Sequence, residues 1–139
     1  MNVVGFNFTK ISAERITENI TKRPSMGIEF IDLKEDKTDV LKESNIINLT
    51  FKYSIIYGEQ EKDPEGTIIM KGNIILSVSK EESKEINKNW KKKKLPSPIN
   101  IILFNLILKK CTPKAIFLED EVSLPIHTPM PKLQEKKEE

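Results

Sequence analysis

The side chains best suited to chemistry in this sequence are its single histidine, His127, and its single cysteine, Cys111. Acyl-transfer catalysis needs a nucleophile, a base and an oxyanion-binding element, and the chain has no Gly-x-Ser-x-Gly motif. His127 stands in a proline-punctuated segment. Cys111 ends an apolar helix, where cysteine packs as a small hydrophobic residue, although Lys109 and Lys110 would lower a thiol pKa. We therefore predict no catalytic residue.

A basic run follows the single tryptophan, because Trp90 directly precedes Lys91–Lys94. Lysines contact phosphates and aromatic rings stack on bases, so this run is the candidate for nucleic-acid binding. The alternative is a solvated helix end with Trp90 held in the core. The net charge of +2, from 23 basic and 21 acidic residues, disfavours a dedicated nucleic-acid-binding protein.

Metal and cofactor sites are also disfavoured. One cysteine and one histidine cannot build a Cys/His cluster, and no glycine-rich loop is present to hold a phosphate. A turn carries many carboxylates but lacks the central glycine of a calcium loop; they are Asp32, Glu35, Asp36, Asp39 and Glu43. We predict no metal and no cofactor.

The composition is that of one globular domain, since the chain has 139 residues, of which 37% are hydrophobic and 32% charged. We place the domain at residues 1–131 and a charged tail at residues 132–139. The longest apolar stretch, residues 99–108, is shorter than the ~20 residues that span a membrane, and the N-terminus has no signal-peptide pattern. The expected location is the cytoplasm, without a membrane span.

Four segments show the period-2 alternation of strands. Residues 46–57 are the clearest, residues 67–79 follow after a turn of Asp63-Pro64-Glu65-Gly66, and residues 4–9 and 27–33 are shorter. Gly72 interrupts the apolar face and predicts a bulge or a close approach. Long strands joined by short turns predict a four-stranded antiparallel, meander-like sheet.

The last third of the chain has a helical period. Ser79 and Glu82 predict a capping box for a short helix through Ile86 and Trp90. Ser97 then predicts an N-cap for a long helix over residues 98–111. Thr112-Pro113 predicts a kink or break, with a second helical piece over residues 114–122. The resulting fold is α+β, a sheet covered by a long C-terminal helix.

That long helix is apolar nearly all round, which favours burial on every side. Its predicted core stripe is Ile99, Ile102, Leu103, Leu106 and Ile107. The opposite stripe, Ile101, Phe104 and Leu108, would face water in a monomer. We therefore predict a homo-oligomer built through the helix layer; the alternative is that the short helix packs over this stripe.

The order of these elements resembles the SecB family of export chaperones. The second strand of the SecB family is similar to Gly27-Ile-Glu-Phe-Ile-Asp-Leu33 of this sequence. The long hairpin of the family is similar to residues 47–57 and 67–78. The family's main helix is similar to the one through Leu103-Phe-Asn-Leu-Ile-Leu108, and its following Leu-Pro loop to Leu124-Pro125-Ile126. Residues 15–26 correspond to the loop that crosses to the second strand.

The resemblance implies a tetramer with helices sandwiched between sheets, and an ATP-independent holdase that binds unfolded polypeptides. It places the client groove at the crossing loop and the loop after the long helix. The residues that we predict for this groove are Ile16, Ile20, Met26, Pro125, Ile126 and Met130. SecB proteins engage their motor protein through an acidic surface, so the charge of +2 makes such a handover unexpected here.

Two other functions remain open on the sequence alone. One is nucleic-acid binding through Trp90 and Lys91–Lys94, which would depend on salt. The other is a scaffold or partner subunit without catalysis. An enzyme is the least favoured class, because the residues for catalysis are missing.

Overall fold

The computed structural model describes residues 1–36, 44–59 and 62–135. Asp39 and Glu43, which belong to the predicted carboxylate-rich turn, lie outside these ranges, as do residues 136–139 of the predicted tail. The elements in chain order are β1 (Asn2–Arg15), β2 (Ser25–Asp36), β3 (Ser44–Tyr57), β4 (Gly66–Ser79), α1 (Lys80–Trp90) and α2 (Ser97–Glu121). The predicted α+β class, with a four-stranded antiparallel sheet and a long C-terminal helix, is confirmed.

The strand order in the sheet is β1-β4-β3-β2. Strands β2, β3 and β4 form a meander, whereas β1 crosses over and pairs with β4 instead of β2. The two outer strands are therefore β1 and β2. Both contain register shifts: β1 shifts between Val3 and Gly5 and between Phe8 and Lys10, and β2 shifts between Phe30 and Asp32.

One face of the sheet forms the core. Alternate residues of β3 and β4 point to this face and are fully buried, as the period-2 pattern predicts. At Gly72 a Cβ atom would lie 2.3 Å from the carbonyl oxygen of Asn7 and 2.9 Å from the Phe51 ring. The close approach predicted at Gly72 is therefore confirmed, since β1 could not pair this closely with a larger residue there.

Helix α1 begins with the predicted capping box. The Ser79 hydroxyl accepts from the Glu82 backbone N–H at 3.1 Å, and the Glu82 carboxylate accepts from the Ser79 N–H at 3.0 Å. This bond to the backbone lowers the pKa of Glu82 below its ordinary value. Ile86, on the inner side of the helix, is buried against the sheet.

Helix α2 is continuous through Pro113. Of the two outcomes predicted there, a kink or a break, the break was wrong, and the predicted second helical piece is part of the same helix. Proline removes one backbone donor, but Pro113 is exposed, where water can bond the carbonyl oxygen left over. The predicted N-cap was also displaced by one residue: Pro96 occupies that position and Ser97 is the first helical residue.

The buried stripe of α2 repeats every four residues. It consists of Ile99, Leu103, Ile107, Cys111, Ala115 and Glu119. Ile102, which the sequence placed in the core stripe, is 53% exposed. The four-residue repeat moves slowly around the helix, and this movement keeps the stripe in contact with the sheet on both sides of Pro113.

Candidate functional site

The crossing segment between β1 and β2 is held by one residue of the β3–β4 turn, Glu65. The backbone N–H groups of Ile16 and Thr17 donate to the Glu65 carbonyl oxygen at 2.9 and 3.1 Å. The Thr21 backbone N–H and hydroxyl donate to the Glu65 carboxylate at 3.0 and 2.8 Å. The segment is thus bonded to the sheet at its start and near its middle.

The segment after α2 is held by a buried polar group, which we call the Glu119 cluster: Tyr53, Tyr57, Glu119 and His127. The fully buried Glu119 carboxylate lies 3.0 Å from the His127 backbone nitrogen and 2.7 Å from His127 Nδ1. It also accepts from the Tyr57 hydroxyl. The Tyr57 hydroxyl lies 2.6 Å from the Pro125 carbonyl oxygen. The segment is therefore bonded to α2 and to β3.

The two ring nitrogens of His127 face different partners in the cluster. Nδ1 lies beside the Glu119 carboxylate, and Nε2 lies 3.2 Å from the Tyr53 hydroxyl. Every polar side chain of the cluster has a partner, which is what a buried polar group requires.

Burial makes these side chains poor nucleophiles. It raises the pKa of Tyr53 to about 12, and together with the bond to Glu119 it holds the pKa of Tyr57 above its ordinary value. Burial likewise raises the pKa of the Cys111 thiol to about 12, which outweighs the lysine nearby. An activated nucleophile needs the opposite shift or an accessible base, so the geometry is that of a structural attachment.

Close packing positions the same segment at the start of β4. Leu124 is buried, and a Cβ atom at Gly66 would lie 2.6 Å from Leu124 Cδ2. Ser123, two residues after the last residue of α2, has a left-handed φ of 57°, and its carbonyl oxygen accepts from the Arg15 guanidinium. The end of β1, the start of β4 and the end of α2 therefore meet at one place.

An open groove of about 590 Å³ lies between the two segments that are held in this way. Its lining residues are Ile20, Thr21, Lys22, Arg23, Pro24, Pro125, Ile126, His127, Thr128 and Pro129. A more polar depression of about 440 Å³ shares Thr21 and Lys22 and adds Glu59, Asp63 and Glu65. The groove offers isoleucine and proline side chains beside polar groups, which suits binding more than bond cleavage.

The structure brings three of the six predicted groove residues together. Ile20, Pro125 and Ile126 line the groove from its two sides. The other three, Ile16, Met26 and Met130, do not line it; all of them are exposed side chains on or next to the same two segments.

The three residues predicted for an oligomer interface have different surroundings. Ile101 is 58% exposed, so the short helix does not cover it. Phe104 is half-buried and stacks on Phe30 of β2 at 5.4 Å between ring centroids. Leu108 is half-buried against the core. The predicted stripe is therefore open to solvent mainly at Ile101.

The basic run after α1 does not present its tryptophan to a base. Trp90 is half-buried and packs against the core, and the Lys93 ammonium lies 5.4 Å from the ring centroid. Within the described residues, no three His, Cys, Asp or Glu side chains are grouped as metal ligands. None of the helices that the structure describes is both long and apolar enough to cross a membrane.

The Glu119 cluster was missed by the sequence analysis. The four-residue repeat that ends at Glu119 was a usable signal, since a carboxylate on a buried helical stripe needs partners. The alternation of β3 had placed Tyr53 and Tyr57 on the core face. Nothing in the sequence indicated that His127 would lie beside them.

Comparison with known proteins gives a distant likeness among solved structures. No protein-family model and no curated protein matches the chain. Among solved structures, the chain is similar to the SecB-like chaperone Rv1957 of Mycobacterium tuberculosis, which was solved with a ChAD peptide from the Rv1956 HigA1 antitoxin. The identity is 9%, the TM-score is 0.44, and the match covers 98% of this chain and 92% of that chain.

Proposed function

We propose that this protein is an ATP-independent holdase chaperone that binds non-native polypeptide segments. The observation that carries the proposal is the groove between residues 20–24 and 125–129, whose two walls are fixed while its mouth is open. Apolar side chains of an unfolded chain would lose contact with water there. The neighbouring polar depression would contact the main chain of the client.

A fixed groove suits a binder of many sequences. The hydrogen bonds of Glu65 and Glu119 order both walls before a client arrives, so less entropy is lost on binding. A groove of mixed apolar and polar lining selects for extended, partly apolar chains without reading one sequence. Such a role needs no bond-making step, and we propose a cytoplasmic protein that is not an enzyme.

We also propose that the chain works as a homo-oligomer, with a tetramer as the expected form. The exposed side of α2 supports this, because Ile101, Ile102 and Phe117 are all more than half exposed. Several grooves in one assembly would bind one long client with higher avidity than a single groove. Light scattering gives the mass in solution, and Ile101→Asp should lower it; a monomeric wild type would contradict this proposal.

The holdase proposal is tested with two matched variants. Ile126→Ser removes an isoleucine of the groove that is 40% exposed, and Ile31→Ser removes one from β2 that is 41% exposed. We expect Ile126→Ser to weaken binding of a permanently unfolded, carboxymethylated polypeptide about tenfold, the loss of part of one buried side chain. Ile31→Ser should change it less than about twofold.

The measurements are fluorescence anisotropy of the labelled client and suppression of client aggregation without ATP. If both variants lost the same affinity for the client, binding would be due to nonspecific hydrophobic contact with the surface and not to the groove. The absence of client binding by the wild type would contradict the holdase proposal.

A further inference from the structure

The face of the sheet that points away from the helices carries a row of lysines, which we call the lysine row. The register places Lys10 of β1 opposite Lys71 of β4, and Lys71 opposite Lys52 of β3. Residues directly opposite in a sheet point to the same face. The three ammonium-bearing side chains therefore occupy adjacent strands, about 4.8 Å apart.

Few carboxylates lie beside this row: Glu29 is opposite Lys52, and Asp32 is opposite Thr50 at the next register position. The Glu29 carboxylate, on β2, lies 3.9 Å from Lys52 Nζ. Within the described part of the chain, Lys10 and Lys71 form no ion pair. Like charges directly opposite one another destabilise a sheet, so the row is a cost to folding that a bound anion would remove.

Uncharged polar groups continue the surface beside the row. The next register position brings Asn7, Asn73 and Thr50 together across the same three strands. The Thr50 hydroxyl donates to Asn73 Oδ1 at 3.0 Å. On β4 the row is flanked by half-buried Ile69 and, further along, Ile75. The surface thus combines cations, amides and apolar side chains.

We propose that the lysine row docks an acidic polypeptide segment, in which Asp or Glu side chains alternate with apolar residues. The positive row complements the carboxylates, and Ile69 and Ile75 provide apolar contacts. Single-stranded nucleic acid is disfavoured, because it binds by stacking on aromatic rings. In the four strands the structure describes, every aromatic side chain lies on the opposite, helix-covered face.

This docking surface is independent of the holdase proposal. The groove is attached to the sheet through Tyr53 and Tyr57, which point to the covered face. The lysine row points the other way. A client could occupy the groove while an acidic partner occupies the row, so each surface can be removed by mutation without the other.

Binding is measured with poly-L-glutamate, and with poly-uridylate of equal charge as the competing class. The test variant is Lys52→Gln combined with Lys71→Gln. The matched control is Lys91→Gln combined with Lys92→Gln, which removes the same charge from the exposed loop after α1. We expect the test variant to weaken poly-L-glutamate binding about tenfold at low salt, and the control to weaken it less than about threefold.

Three results would overturn the proposal: no binding of poly-L-glutamate by the wild type, equal loss in both variants, or tighter binding of poly-uridylate that the test variant abolishes.

A second measurement separates binding from misfolding. Without ligand, Lys71→Gln should raise the melting temperature, because it removes a like-charge contact. Poly-L-glutamate should raise the melting temperature of the wild type but not that of the test variant. A lower melting temperature for Lys71→Gln would contradict the inference that repulsion within the lysine row destabilises the fold.

Discussion

Two glutamates each join a helix or a segment to the sheet, and their surroundings differ. Glu119 is fully buried and accepts from two titratable side chains, Tyr57 and His127. Glu35, on β2, is half-buried, and the donors around its carboxylate include Ser83 and Asn87 of α1. Water can reach the half-buried Glu35 carboxylate but not the fully buried Glu119 carboxylate. The attachment beside the groove therefore depends on a carboxylate shielded from water, whereas the attachment of α1 depends on one that water can reach.

The largest expected effect is at the buried glutamate. Glu119→Ala leaves the His127 backbone N–H without its acceptor inside the protein and leaves the Tyr57 hydroxyl with the Pro125 carbonyl oxygen alone. We expect the free energy of unfolding to fall by about 3 kcal/mol. Urea unfolding measures it. Its control is Asp120→Ala, on the exposed side of the same helix, with an expected change below about 0.5 kcal/mol. A similar small change for both would contradict the structural role of the cluster.

A smaller effect is expected at the half-buried glutamate. Glu35→Ala removes the acceptor for Ser83 and Asn87. Glu35 and Asn87 are only half-buried, so water can enter in place of the carboxylate, and the loss should be roughly 1 kcal/mol. The same urea titration applies, with the exposed Glu85→Ala as its control. If Glu35→Ala lowered the free energy of unfolding as much as Glu119→Ala does, burial of the carboxylate would not determine the size of the loss.

Alkaline pH should destabilise the protein through the Glu119 cluster and not through the contacts of Glu35. The pKa of Tyr53 rises from 10.0 to about 12 in the folded protein, because burial favours the neutral phenol. The stability from this shift is complete below pH 10 and is lost as the pH rises toward 12, by roughly 1 kcal/mol at pH 11. Tyr53→Phe should therefore flatten the alkaline fall in unfolding free energy, and Glu35→Ala should leave its slope unchanged. An unchanged slope in Tyr53→Phe would disprove the link.

The smallest effect is expected at the capping box of α1. The pKa of Glu82 lies below its ordinary 4.5 because its carboxylate accepts from the backbone of Ser79. This contribution is present above pH 4.5 and is lost as the pH falls through the lowered value. Wild type and Glu82→Gln should differ by less than about 1 kcal/mol at neutral pH, and the difference should vanish in acid. Thermal unfolding at several pH values measures this; a difference that persists in acid would rule out the carboxylate as its source.

Local sequence patterns predicted the helices and strands well, because side-chain alternation and helix capping depend on residues that are close together in the chain. The alternation in residues 46–57 requires a strand, and the Ser79 and Glu82 pair requires a helix start, whatever surrounds them. The break predicted at Pro113 failed because buried residues of α2 pack against the sheet before and after Pro113, and this tertiary packing outweighs the local cost of proline. The position of β1 beside β4 is also tertiary, since alternation within a strand does not specify its neighbour.

The candidate site was predicted only in outline. The segments around Ile20 and Ile126 were identified through a family resemblance, and the structure places these two residues in one groove. The Glu119 cluster was not foreseen, because its members are separated by up to 74 residues in the chain. Such contacts follow from the packing of α2 on the sheet, which no local pattern records.

The register shifts in the two outer strands have a consequence for self-association. An outer strand presents unpaired backbone groups that invite another sheet, and long, flat edges aggregate. Here β1 and β2 are 14 and 12 residues long. An extra residue bends β1 at Val4 and again at Thr9, and another bends β2 at Ile31. A foreign strand can therefore stay in register only over short runs, so the bulges limit fibre growth from the two outer strands.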